Sequence, residues 1–120
     1  MFVTLQLVWT PDADRAFVAA LICQTVVAIY LGFALVRGNW RELGIEVAFF
    51  AVASTAIWLG RDGAEGWFAA VLFAHGGWDL LHHRREDLPK VGARNVPRWY
   101  PPACLAFDLP VAVAILALVP

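Results

Sequence analysis

Apolar runs separated by short charged breaks set the pattern of this chain. Four can be drawn, at 16–36, 45–60, 66–81 and 102–119. Each is near the roughly 20 residues that a helix needs to cross the ~30 Å hydrocarbon core of a bilayer, if the three shorter runs borrow their flanking residues. Thr10-Pro11-Asp12 predicts a helix start near Pro11, since Thr can cap, Pro suits the first turn and Asp favours the positive end of the dipole. Gly38-Asn39 predicts the end of the first helix, and Gly60-Arg61-Asp62-Gly63 a tight turn. Short connections force neighbouring helices to pack antiparallel. The expected fold class is therefore all-α: an antiparallel bundle of four transmembrane helices in a single membrane-embedded domain over residues 1–120. The apolar run 2–9 lies along the outer surface or over the bundle mouth, and Pro110 predicts a kink that partly opens the backbone near Asp108.

Composition agrees with that layout. Hydrophobic residues make up 61% of the chain and charged residues 16%, against roughly 25% charged in soluble domains. The net charge of −1 gives no electrostatic basis for binding nucleic acid. Lys and Arg are unevenly placed: Arg37, Arg41, Arg84, Arg85, Lys90, Arg94 and Arg98 on one predicted side, Arg15 and Arg61 on the other. The positive-inside rule makes the first side cytoplasmic and puts both termini outside, as expected of a multi-pass protein of the cell inner (plasma) membrane. Trp40 and Trp99 fall at the predicted cytoplasmic ends, and Trp9, Trp58 and Trp67 at the opposite ends, the levels that indoles favour. Only Trp78 lies well inside a span. The N-terminus lacks the basic region and cleavage site of a secretory signal and is read as part of the mature protein. Cys23 and Cys104 both fall within spans, where thiols behave as small apolar groups.

One segment carries the candidate chemistry. FAAVLFAHGGWDLLHHRR, residues 68–85, reads as membrane-spanning yet contains His75, Asp79, His82 and His83. Their i, i+4, i+7 and i+8 spacing confines them to an arc about 100° wide. Ionisable groups at such depth are costly and mark function by default. Counting rise per residue, Glu46, Asp79, His82 and Asp108 converge in the cytoplasmic half, with His75 nearer the midplane and Cys104 one turn from Asp108. The expectation is one polar pocket that opens toward the long basic connection 84–101.

Three chemistries suit such a pocket. In the leading one His75, Asp79, His82 and Asp108 bind a divalent metal, Zn or Fe, because imidazole and carboxylate suit such ions and facing helices can supply them. Glu46, Trp78, His83 and Cys104 are additional pocket candidates. A metal-activated water would then act on a hydrophobic small molecule. The second is a protonatable site in a proton-coupled or small-ligand binding or transport protein. In the third the acids tie helices together in a structural subunit of a membrane complex, while His82, His83, Arg84 and Arg85 reach toward headgroups. Whether the protein is an enzyme stays open. A bundle this thin suits a homo-oligomer or a membrane-complex partner.

The strings AHGGWDLLHHRR and VPRWYPPACLAFDLP resemble a family of small four-helix bacterial integral membrane proteins. That family carries a histidine, a Trp-Asp pair and a double histidine in one helix, an H-x2-W-D-x2-H-H motif, followed by a Pro-rich entry, a Cys and an Asp. His75, Trp78, Asp79, His82, His83, Trp99, Pro101, Cys104 and Asp108 carry the likeness, over roughly the last half of the chain. The resemblance implies the four-helix membrane fold and brings no activity with it.

Overall fold

The computed structural model describes residues 7–64, 66–83 and 96–118, and every regular element in them is helical. Helix α1 spans Asp12–Arg37, α2 Trp40–Arg61, α3 Gly66–His83 and α4 Tyr100–Leu118, with a helical turn at residues 7–9 before α1. The expected basic cover 84–101 falls mostly outside the described residues, as does most of the run 2–9.

All four apolar runs are helices, and at α2 a cap rather than polarity sets the start. The Asn39 side chain accepts from the amides of Arg41 and Glu42, both at 3.0 Å, and donates to Glu42 Oε1 at 3.0 Å. This reciprocal cap starts α2 at Trp40, five residues before the apolar run, and draws Arg41 and Glu42 into the helix. At α1 the capping position is Pro11, which makes no side-chain cap hydrogen bond. Gly63 takes φ +106°, the left-handed conformation that the turn between α2 and α3 needs. Helix α4 continues through Pro110, which removes the amide that the Ala106 carbonyl would otherwise accept.

Helix α3 packs against each of the other three, and α1 packs on α2. Glycine permits close approach: a Cβ at Gly76 would come within 2.9 Å of Leu105 on α4. At one end Arg15 of α1 donates to the carbonyls of Leu7 and Thr10, both at 3.1 Å, and of Leu118 at 3.3 Å, tying the start of α1 to the end of α4. At the other end the rings of Tyr30 and Tyr100 meet edge-on with centroids 5.6 Å apart. Apolar packing around Cys23, Ile57, Phe68, Leu72 and Ile115 fills the interior between these ends.

The surface inverts the usual order of a water-soluble domain. Val36, Val52 and Leu35 are 76%, 72% and 66% exposed, whereas Glu42, Glu46, His75, Asp79, His82 and Asp108 are all buried. Among the described residues three helices, α1, α2 and α4, are long and apolar enough to cross a membrane. Helix α3 is not among them; its three histidines and Asp79 make it more polar than a plain membrane span. Trp9, Trp40, Trp58, Trp67 and Trp99 are exposed at or near helix ends, while Trp78 turns partly inward.

Candidate metal centre

The buried face of α3 presents His75, Asp79 and His82, following its i, i+4, i+7 spacing. Each is at most 1% exposed. His83, one residue further round, is exposed and stays outside. The buried groups divide between two clusters at different heights.

The first cluster joins α3 to α4. His75 Nδ1 lies 2.7 Å from Asp108 Oδ2, 3.6 Å from Asp79 Oδ2 and 3.9 Å from Cys104 Sγ. Cys104 and Asp108 share one face of α4 at i, i+4. Taking one donor atom from each of His75, Asp79, Cys104 and Asp108, all four atoms lie within 4.8 Å of one another. Tyr30 of α1 donates its hydroxyl to Asp79 Oδ1 at 2.6 Å, and Tyr100 Oη lies 3.5 Å from Cys104 Sγ. Among the described residues three buried polar atoms of this cluster have no hydrogen-bond partner: His75 Nε2, Asp79 Oδ2 and Asp108 Oδ1. Most buried polar atoms of folded proteins find a partner, and an unmatched one in a low-dielectric interior is expensive.

The second cluster joins α3 to α2 and is saturated. His82 Nε2 lies 2.8 Å from Glu46 Oε1, its Nδ1 lies 2.9 Å from the Trp78 carbonyl, and Trp78 Nε1–H donates to Glu46 Oε2 at 3.0 Å. A carbonyl only accepts, so His82 Nδ1 carries a hydrogen. Glu46 Oε2 is occupied as an acceptor, which leaves one proton between Oε1 and Nε2 whichever atom holds it. Phe49 backs the cluster by stacking on Trp78, with ring centroids 4.5 Å apart and an interplanar angle of 10°.

The structure therefore brings His75, Asp79 and Asp108 together, adds Cys104, and places His82, Glu46 and Trp78 in a separate network. The residues expected to share one pocket fall into two adjoining networks. The reason is axial rise: seven residues at 1.5 Å each put His75 and His82 about 10 Å apart along α3, too far for one small ion. Gln24 and Ser54 bond to each other at 3.0 Å and join α1 to α2. Cys23 sits apart, with its thiol against the Phe68 carbonyl at 3.7 Å. Sequence reasoning misses Tyr30. Its signal is a lone phenol in an apolar helix, whose O–H needs a buried acceptor.

No family model, curated protein or solved structure matches this chain. The chemistry must be read from the donor set itself.

One imidazole, two carboxylates and one thiol form a mixed set that suits a borderline divalent ion such as Zn or Fe. Donors around a tetrahedral ion with bonds of ~2.0–2.3 Å lie about 3.3–3.8 Å apart. The His75–Asp79 and His75–Cys104 distances of 3.6 and 3.9 Å are close to that spacing. The 2.7 Å His75–Asp108 contact is a hydrogen bond that an ion would replace, with loss of its proton.

Proposed function

We propose that this chain is an antiparallel four-helix protein of the inner membrane that binds a divalent metal, Zn or Fe, between α3 and α4. The observation that carries the reading is the cluster His75, Asp79, Cys104 and Asp108. Its donor atoms lie within 4.8 Å of one another, all on buried residues, and three polar atoms lack hydrogen-bond partners among the described residues. A cation held by His75 Nδ1 and by oxygens of Asp79 and Asp108 would compensate the burial of two carboxylates.

Membrane insertion is supported by three sufficiently apolar helices, by exposed aliphatic side chains, and by a longest dimension of 42 Å against ~40–45 Å for a bilayer with its headgroup regions. Helix α3 completes the bundle because its deep polar residues His75, Asp79 and His82 face protein and not lipid. The bias of Lys and Arg supports termini on the outer side. When bound, the metal would supply Lewis-acid chemistry toward a hydrophobic small molecule. His75, Asp79, Cys104 and Asp108 would hold it, and Tyr30 and Tyr100 contact two of these residues.

Elemental analysis of detergent-purified protein tests the reading. Near-stoichiometric metal in the parent and its loss in folded His75→Ala and Asp108→Ala is the expected result. A parent that carries none and takes up none removes the reading.

The short contacts Tyr30–Asp79 and His75–Asp108, at 2.6 and 2.7 Å, favour a second reading, a proton-exchanging binding or transport site. That site would function in the presence of chelator and fail in Asp79→Asn.

A further inference from the structure

We infer that Tyr30 is a positioning residue of the metal centre, whose hydroxyl occupies one oxygen of Asp79 and so leaves the other as a single-oxygen donor beside His75. The inference rests on the metal reading above and names a determinant of the same site. Tyr30 is fully buried on α1, a helix that supplies no residue to the donor cluster. Its hydroxyl donates to Asp79 Oδ1 at 2.6 Å, while Asp79 Oδ2 has no hydrogen bond and lies 3.6 Å from His75 Nδ1. The two oxygens of one carboxylate are thus divided between a fixed partner and the donor cluster.

The phenol is itself held in place. Its ring packs on His82 with centroids 4.1 Å apart, and meets Tyr100 edge-on at 5.6 Å. His82 is pinned through both ring nitrogens, to Glu46 and to the Trp78 carbonyl. The saturated cluster therefore acts as a rigid support for the residue that aims Asp79. This gives the α2–α3 network a role in the site without making any of its members a ligand. Hydrogen-bond partners of ligating groups commonly set metal affinity within a factor of about 10–100.

Cobalt(II) titration of the detergent-purified full chain, followed by visible absorption, tests the inference. Tyr30→Phe keeps the ring against His82 and removes only the hydroxyl. It should weaken Co(II) binding about 10–100-fold and shift the ligand-field bands. In an Asp79→Asn background it should cost little more, because both changes break the same link. A tyrosine that merely joined α1 to α3 would lower thermal stability and leave affinity and spectrum at parent values, which overturns the inference. So would a loss that adds in full to that of Asp79→Asn. If the parent takes up no Co(II), the metal reading fails together with the inference; if the parent binds and Tyr30→Phe binds identically, only the inference fails. A second measurement does not depend on the folding of Tyr30→Phe. The chain has two tyrosines, so in Tyr100→Phe the near-ultraviolet tyrosine signal comes from Tyr30 alone. It must shift when Zn(II) engages the carboxylate to which Tyr30 donates, and a constant signal at saturating Zn(II) overturns the inference.

Discussion

The two buried clusters on α3 each set an imidazole against carboxylate, yet they differ in what remains unmatched. Around His82 each ring nitrogen has a partner, and Glu46 takes the indole N–H and the imidazole on its two oxygens. Around His75 two carboxylates, an imidazole and a thiol crowd together, and three polar atoms have no hydrogen-bond partner among the described residues. A histidine or acid within an apolar chain therefore does not by itself mark a site. The useful distinction is between a network that satisfies its own members and one that is completed only by something added.

The largest difference between the clusters should appear in metal uptake. Asp108→Ala is expected to weaken Zn(II) or Fe(II) binding at least about 100-fold, whereas Glu46→Gln should leave it near the parent value in the same titration. Equal losses would erase the distinction.

Stability should show the opposite ranking. Glu46→Ala strands the His82 and Trp78 donors and is expected to cost about 3 kcal/mol in detergent unfolding. Glu46→Gln should cost less than about 1 kcal/mol, because its amide can donate to His82 and accept from Trp78. In the metal-free protein Asp108→Asn should stabilise by about 1 kcal/mol, since it replaces a buried, poorly compensated carboxylate by a neutral amide. Destabilisation by Asp108→Asn of the size seen for Glu46→Ala would make the first cluster a structural pair as well.

The smallest effect expected is that of Gly76→Ala. Its methyl would meet Leu105 Cδ1 at 2.9 Å, a flexible side-chain end that can yield, so a stability loss of about 1 kcal/mol or less follows. The same methyl presses α3 away from α4, so metal affinity should fall while imidazole resonances of the Glu46–His82 pair stay in place.

Much of the fold is legible in the amino-acid pattern. The four apolar runs are four helices, and the i, i+4, i+7 spacing puts His75, Asp79 and His82 on a buried face. Helix ends are less legible because Asn39 caps α2 well outside the apolar run. The division of the polar face is hidden by a projection that keeps angle and discards height. His75 and His82 differ by only about 20° around the helix but by about 10 Å along it. Cys104 ranks below His82 as a ligand by sequence because a thiol in an apolar run looks like packing. Its place in the donor cluster depends on the close α3–α4 approach at Gly76, which sequence spacing on a single helix does not reveal. Tyr30 escapes notice because a search for charge passes over a phenol.

The central claim is that the unsaturated cluster holds a metal and the saturated one does not. Calorimetric Zn(II) titration of detergent-purified parent, His75→Ala and His82→Ala compares them directly. The account predicts about one ion per chain for the parent and for His82→Ala, and none for His75→Ala. Retention of the ion by His75→Ala, or its loss in His82→Ala with His75→Ala unaffected, would contradict it.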